Sequence, residues 1–285
     1  MVYLRAKSVK GDQYLYLVKS VWDPKKNTSR QEIIKYLGKA KDVSSEDIPL
    51  EYRDNQKISI FLSKYAGKNI KKNQQLVKNL QKNIFESLTK GELDKTIEVF
   101  KTYSKNFPIE NFYDNILKPV MYKIGDLWET GAISVATEHV ASNIAHELVS
   151  NIIQRTSKPD HKGKILICNP AGEEHNLGCR LIESYLQSQR YRVFNLTPSA
   201  PAESIITFIR GHNPDIILIS ITIEDNIKTG QRLVNKIKKE FEIPILVGGQ
   251  AVASKNYKFN AMVVSENSLD KIAELVKQKK KKSTK

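Results

Sequence analysis

A change of hydrophobic period near residue 163 constrains the fold more than any other feature. From there five short apolar runs, KILICNP, YRVFNL, DIILISIT, IPILVGG and AMVVS, alternate with four amphipathic stretches. Those are LGCRLIESYLQ, PAESIITFIRG, DNIKTGQRLVNKIKKEF and SLDKIAELVKQ. A strand apolar on both faces is buried on both, and parallel neighbours need a crossover, usually a helix. The alternation therefore predicts a five-stranded, doubly wound, flavodoxin-like parallel sheet over residues 158–276. Such sheets take their ligands at the carboxyl ends of the strands.

Between about 75 and 157 the period is 3.6. Four helices are expected: QLVKNLQKNIFESLTKG, ELDKTIEVFKTYSKN, IENFYDNILKPVMYKIGDLWETG and SVATEHVASNIAHELVSNIIQRT. Gly91, Pro108 and Gly131 punctuate them, Ser134 is a candidate N-cap, and Pro119 should kink the third. Short connections favour an antiparallel four-helix bundle, preceded by a further helix over 58–72, so that 58–157 forms an all-α segment. At the front, residues 2–8 and 14–22 predict a hairpin around KGDQ. A second turn, DPKKNTSR, leads to QEIIKYLG, a third strand or a short helix. GKAKDVSSEDIPLEYRDNQK is polar and reads as a linker, closing a small β-rich unit at 1–57. The fold class is α/β plus all-α.

Charge is unevenly spread. Residues 1–82 hold 18 Lys and Arg against 8 Asp and Glu, 83–276 are nearly neutral, and the tail 277–285 holds 6 Lys and no acid. Basic ends are the electrostatic footprint of a polyanion, or else a solvated surface. In the front unit Tyr3, Tyr14, Tyr16 and Trp22 stand among Arg5, Lys7, Lys10, Lys19, Lys25, Lys26 and Arg30. That mixture makes nucleic acid the expected macromolecular partner, the alternative being an aromatic mini-core with solvating lysines. No segment approaches 18 apolar residues, MVYLRAKSVKGD lacks a signal-peptide core, and Cys168 and Cys179 make no disulfide framework. A cytoplasmic protein that does not enter a membrane is expected; a homo-oligomer is compatible with the sequence.

One constellation carries chemistry. Glu173-x-His175-x-x-Gly178 follows the first strand of the sheet segment, Ser220-Ile221-Thr222 ends the third, and Gly248-Gly249 ends the fourth. All three converge on one mouth of the sheet. An imidazole there can bind a metal through one nitrogen while a carboxylate two residues earlier accepts from the other, which fixes the tautomer. In order and spacing these elements resemble the cobalamin-binding family. The resemblance implies a base-off cofactor whose tail enters the sheet domain, with His175 as lower cobalt ligand and Glu173 as its hydrogen-bond partner. Gly178 would admit the cofactor, and Ser220, Thr222, Gly248 and Gly249 belong to the tail-pocket signature. Glu173 stands where Asp is commoner, and Thr222 where Leu is.

In GDLWETGAISVATEHV, nine residues separate Trp128 from Glu138-His139. This spacing, upstream of the first motif, resembles the adenosylcobalamin-dependent light-sensing transcriptional regulators. There the bundle covers the upper corrin face, Trp packs over the adenosyl group and the Glu-His pair bonds it. Alternatively Trp128 is a bundle core residue and Glu138-His139 a solvated helix start. Glu129 follows Trp128 where well-studied light sensors carry histidine. The implied cofactor is adenosylcobalamin, with methylcobalamin the alternative. The implied role is a non-enzymatic sensor, with a corrinoid carrier for methyl transfer as the alternative.

Overall fold

In the computed structural model the described residues are 2–9, 12–24, 27–40, 42–43, 45–53, 55, 58, 61–62, 74–105, 107–156, 161–254, 257–265 and 268–283. The chain forms two compact units, Met1–Ile144 and Ala145–Lys285.

The first unit opens with a three-stranded antiparallel sheet, β1 (Val2–Val9), β2 (Asp12–Asp23) and β3 (Thr28–Lys39), in that order. The stretch left open between strand and helix is thus a strand, and it starts inside the presumed turn. Its extra length is accommodated by register shifts at Leu15/Tyr16 and Leu17/Val18. Leu4, Leu15 and Leu17 point to one face and are buried with Ala40, Val43 and Ile48. The presumed linker is therefore partly core: single apolar residues among polar neighbours close the sheet's inner face. It also carries a short helix, α1 (Leu50–Arg53). Of the helix expected over 58–72, only Ile58, Phe61 and Leu62 fall among the described residues.

Helices α2 (Gln74–Thr89), α3 (Leu93–Ser104), α4 (Ile109–Phe112), α5 (Lys118–Glu129) and α6 (Val135–Thr156) follow. The third expected helix is divided. A π turn over Tyr113–Leu117 precedes α5, whose first turn holds Pro119. Proline lacks the N–H for a regular i→i−4 bond, and the wider turn takes up the break. Phe100, Tyr103, Phe112 and Tyr113 pack edge to face or tilted within 5.1–6.1 Å of one another. Ser134 caps α6, its Oγ accepting from the Thr137 amide at 3.1 Å. Ser134→Ala is expected to cost about 1 kcal/mol, read as a lower urea midpoint.

The second unit contains a parallel sheet in the order β5 (Arg192–Asn195), β4 (Lys164–Cys168), β6 (Ile216–Ser220), β7 (Ile245–Gly248), β8 (Met262–Val263). Both faces are covered, as the continuous apolar runs require. Leu166, Cys168, Ile217 and Ile219 pack with α8 (Ala202–His212) and α9 (Ile227–Glu240). Ile165, Ile167, Leu218 and Leu246 pack with α7 (Leu177–Ser188) and α11 (Leu269–Ser283). A short α10 (Gln250–Ser254) was not anticipated. Nor is the lysine tail a separate segment, since α11 runs through it to Ser283; lysine is a good helix former. The chain reverses direction across the sheet at β4, placing a crevice at the carboxyl ends of β4 and β6.

Candidate cofactor site

The loop leaving β4 is built around two buried side chains. Asn169, fully buried, donates through Nδ2 to the carbonyls of Glu173 (3.3 Å) and His175 (3.0 Å) and accepts from the Cys179 thiol (3.3 Å). Gly172 turns the chain at φ +89°, and its amide donates to Ser199 Oγ. The loop is thereby folded back on the sheet, with its carboxylate pointing inward and its imidazole pointing out.

Glu173 is completely buried. Its Oε1 accepts from His175 Nδ1 at 2.8 Å and from the His175 amide at 3.2 Å. Its Oε2 accepts from the amides of Thr222 (2.8 Å) and Ile223 (3.0 Å) and from Asn226 Nδ2 (3.1 Å). Burial opposes ionisation, but the bonds from His175, Ile223, Thr222 and Asn226 outweigh it and hold the carboxyl down at about 2. An ionised carboxylate only accepts, so Nδ1 carries the proton of this pair, and in the neutral ring the lone pair is then on Nε2. The His175 side chain is 56% exposed, so a ligand can reach the ring.

Ser220 ends β6 in direct register with Gly248 of β7. The Ser220 hydroxyl bonds the Cys179 thiol; burial and the carboxylates of Glu173 and Glu183 nevertheless push that thiol up to about 12. Gly249 adopts φ +109°, and a Cβ there would lie 2.3 Å from the Ile221 carbonyl oxygen. Gly249→Ala is expected to destabilise by about 1–3 kcal/mol, measurable as a fall in Tm. A Cβ on Gly178, in the first turn of α7, meets nothing within 4 Å, so space is open beside the histidine loop. Thr222 contributes its backbone amide to Glu173.

In the first unit, Trp128 lies in the last turn of α5 and is about half exposed, which removes the bundle-core alternative for it. Gly131, at φ +73°, turns the chain between α5 and α6. Glu138 and His139 lie one turn into α6, with His139 Nδ1 2.6 Å from Glu138 Oε2. Ser142 Oγ donates to Glu138 Oε1 at 2.5 Å. Glu138 is thus held from two sides, while its partner ring is 70% exposed.

Sequence reasoning missed Asn169, Asn226 and Ser142. Asn226 stands at the N-cap position of α9 yet makes no side-chain cap bond; its amide goes to Glu173 instead, which no sequence signal marks.

Residues 163–267 match a family described as B12 binding domain, and residues 80–153 match a second family of the same description. The chain carries both B12-binding domains. Among curated relatives, the HTH-type transcriptional repressor CarH of Myxococcus xanthus is 25% identical over 144 residues, 50% of this chain and 48% of that protein. The HTH-type transcriptional repressor CarA of the same organism is 21% identical over 171 residues, 60% of this chain and 58% of that protein. The chain therefore spans about half the length of the curated relatives it matches. The monomethylamine corrinoid protein of Methanosarcina barkeri superposes with a TM-score of 0.57 at 16% identity, covering 70% of this chain and 99% of that one. That likeness is one of fold.

The residues present fit a cobalamin. No group of three or more His, Cys, Asp or Glu that could hold a bare metal ion occurs among the described residues. A single oriented imidazole suits a metal whose other positions are filled by a macrocycle it brings with it. The approach of Gly249 to Ile221 and the open space at Gly178 leave the crevice without obstructing side chains at those two points. The B12-binding domains contain no helix, among the described residues, long and apolar enough to cross a membrane.

Proposed function

We propose that this B12-binding protein is an adenosylcobalamin-dependent regulator of the photoreceptor type, acting on nucleic acid through its basic N-terminal unit. His175 would hold the cobalt through Nε2, with Glu173 keeping the proton on Nδ1. Ser220, Gly248 and Gly249 line the pocket for the cofactor's nucleotide tail, with Thr222 acting through its amide. Trp128, Glu138 and His139 contact the adenosyl group. When bound, adenosylcobalamin supplies a cobalt–carbon bond that light can break.

The observation that carries this reading is a half-exposed Trp128 and a bonded Glu138–His139 pair within the one segment matched as the second B12 binding domain. A large aromatic surface and a held carboxylate–imidazole pair suit an adenosyl group, one apolar face and one ribose edge. A small methyl ligand needs neither. Similarity to two transcriptional repressors supports a regulatory role, and the basic ends support a polyanionic partner.

The test is to load the protein with adenosylcobalamin in the dark and record its spectrum and its retardation of DNA before and after green light. Both are expected to change. An unchanged spectrum removes the photoreceptor role, and DNA retardation that follows cofactor loading alone leaves a sensor without photochemistry. Preferential retention of methylcobalamin, with no use made of Trp128, turns the reading to a corrinoid carrier for methyl transfer.

A further inference from the structure

The N-terminal sheet has two chemically different faces. Strand alternation places Leu4, Leu15 and Leu17 inward. The opposite face pairs Arg5 with Tyr16 and Lys7 with Tyr14 across β1 and β2, and Tyr16 with Tyr36 across β2 and β3. Beyond the register shift at Leu17/Val18, the exposed Trp22 lies opposite Ser29, and the exposed Ile33 lies opposite Val18, which is itself buried. Its tyrosines form a cluster: Tyr14 and Tyr36 are stacked at 6.4 Å, and Tyr16 lies 5.1 Å from Tyr36. Tyr36, Ile33 and Trp22 are all more than half exposed. Tyr3 is fixed at one edge, its hydroxyl accepting from Gln31, which in turn accepts from Arg5.

We infer that this outer face is a stacking platform for single-stranded nucleic acid. The inference rests on, and sharpens, the proposed nucleic-acid partner. Planar rings displayed on an open sheet offer their faces to unstacked bases, which a duplex keeps covered. Arg5 and Lys7, directly across from two of the rings, are placed for the phosphates between bases. The tyrosine cluster at one end of β2 and Trp22 at the other span roughly 26 Å from Tyr14 to Trp22. Residues 1–39 hold 9 Lys and Arg against 3 Asp and Glu, so a second copy of this face is repelled where a polyanion is attracted.

The test uses the full cobalamin-loaded chain and fluorescence anisotropy with a labelled oligothymidylate of about 15 nucleotides, against a mixed-sequence duplex of equal length. The single strand is expected to bind at least about 10-fold tighter, with quenching of Trp22 emission. Tyr16→Ala with Tyr36→Ala should lose roughly 10- to 100-fold in single-strand affinity, while the matching Phe pair keeps it. Lys7→Ala should weaken binding to all sequences and lower the salt slope by about 1. Corrinoid retention by each variant reports that it is folded. Equal affinity for duplex, with loss on Arg5→Ala and Lys7→Ala but none in the tyrosine variants, overturns stacking and leaves a nucleic-acid-binding regulator. Absence of any binding overturns both. Self-association abolished by Trp22→Ala, without oligonucleotide binding, assigns the face to another copy of the chain.

Discussion

His175→Ala is expected to weaken cobalamin retention by more than about 100-fold, since loss of a mere hydrogen-bond partner of a metal ligand already costs about 10- to 100-fold. Equilibrium dialysis and the visible spectrum of the dialysed protein measure it. The variant should stay folded at a cost of about 1–3 kcal/mol, because the buried Glu173 loses its His175 Nδ1 donor but keeps its bonds to Thr222, Ile223 and Asn226. Added imidazole should restore part of the binding, because the cavity left on truncation opens to solvent. A variant that retains cobalamin as tightly as the parent removes His175 from the cobalt.

Glu173→Ala should be more damaging to the fold than to any single contact. Removing a fully buried carboxylate strands the amides of Thr222 and Ile223 and the Asn226 side chain, and about 3–5 kcal/mol is the expected loss in urea denaturation at neutral pH. Glu173→Gln, which keeps the shape, should lose less stability but about 10- to 100-fold in cobalamin affinity, because the charge that favours the Nδ1 proton is gone. The pH dependence has a definite sign. The folded carboxyl, at about 2, lies below its ordinary 4.5, so its contribution is complete above about 4.5 and vanishes as pH falls to 2. Across that window the parent should lose about 3 kcal/mol that the Gln variant does not. Parallel acid titrations of the two would sink the assignment if they superimposed.

Much of the second unit is legible in the chain. Five apolar runs separated by amphipathic ones leave few arrangements, and β4 to β8 all fall within them. The Glu173–His175 bond is legible too, since two residues of loop bring a carboxylate and a ring together. What the pattern cannot disclose is who shares the carboxylate. Asn226 lies 53 residues from Glu173, and nothing periodic ties it there. Val43 and Ile48 are buried among polar neighbours, where no period exists to be read. QEIIKYLG fits strand or helix equally over eight residues, and only pairing with β2 decides between them.

The single negative charge beneath the imidazole is also a wire to the backbone of another crossover. The amides of Thr222 and Ile223 terminate on the oxygen partner of the one that the ring engages. A metal bound at that ring would draw electron density from it and polarise the carboxylate, and two peptide protons some 50 residues away would feel it. Their chemical shifts therefore offer a magnetic readout of events at the imidazole, placed where no probe need touch the cofactor.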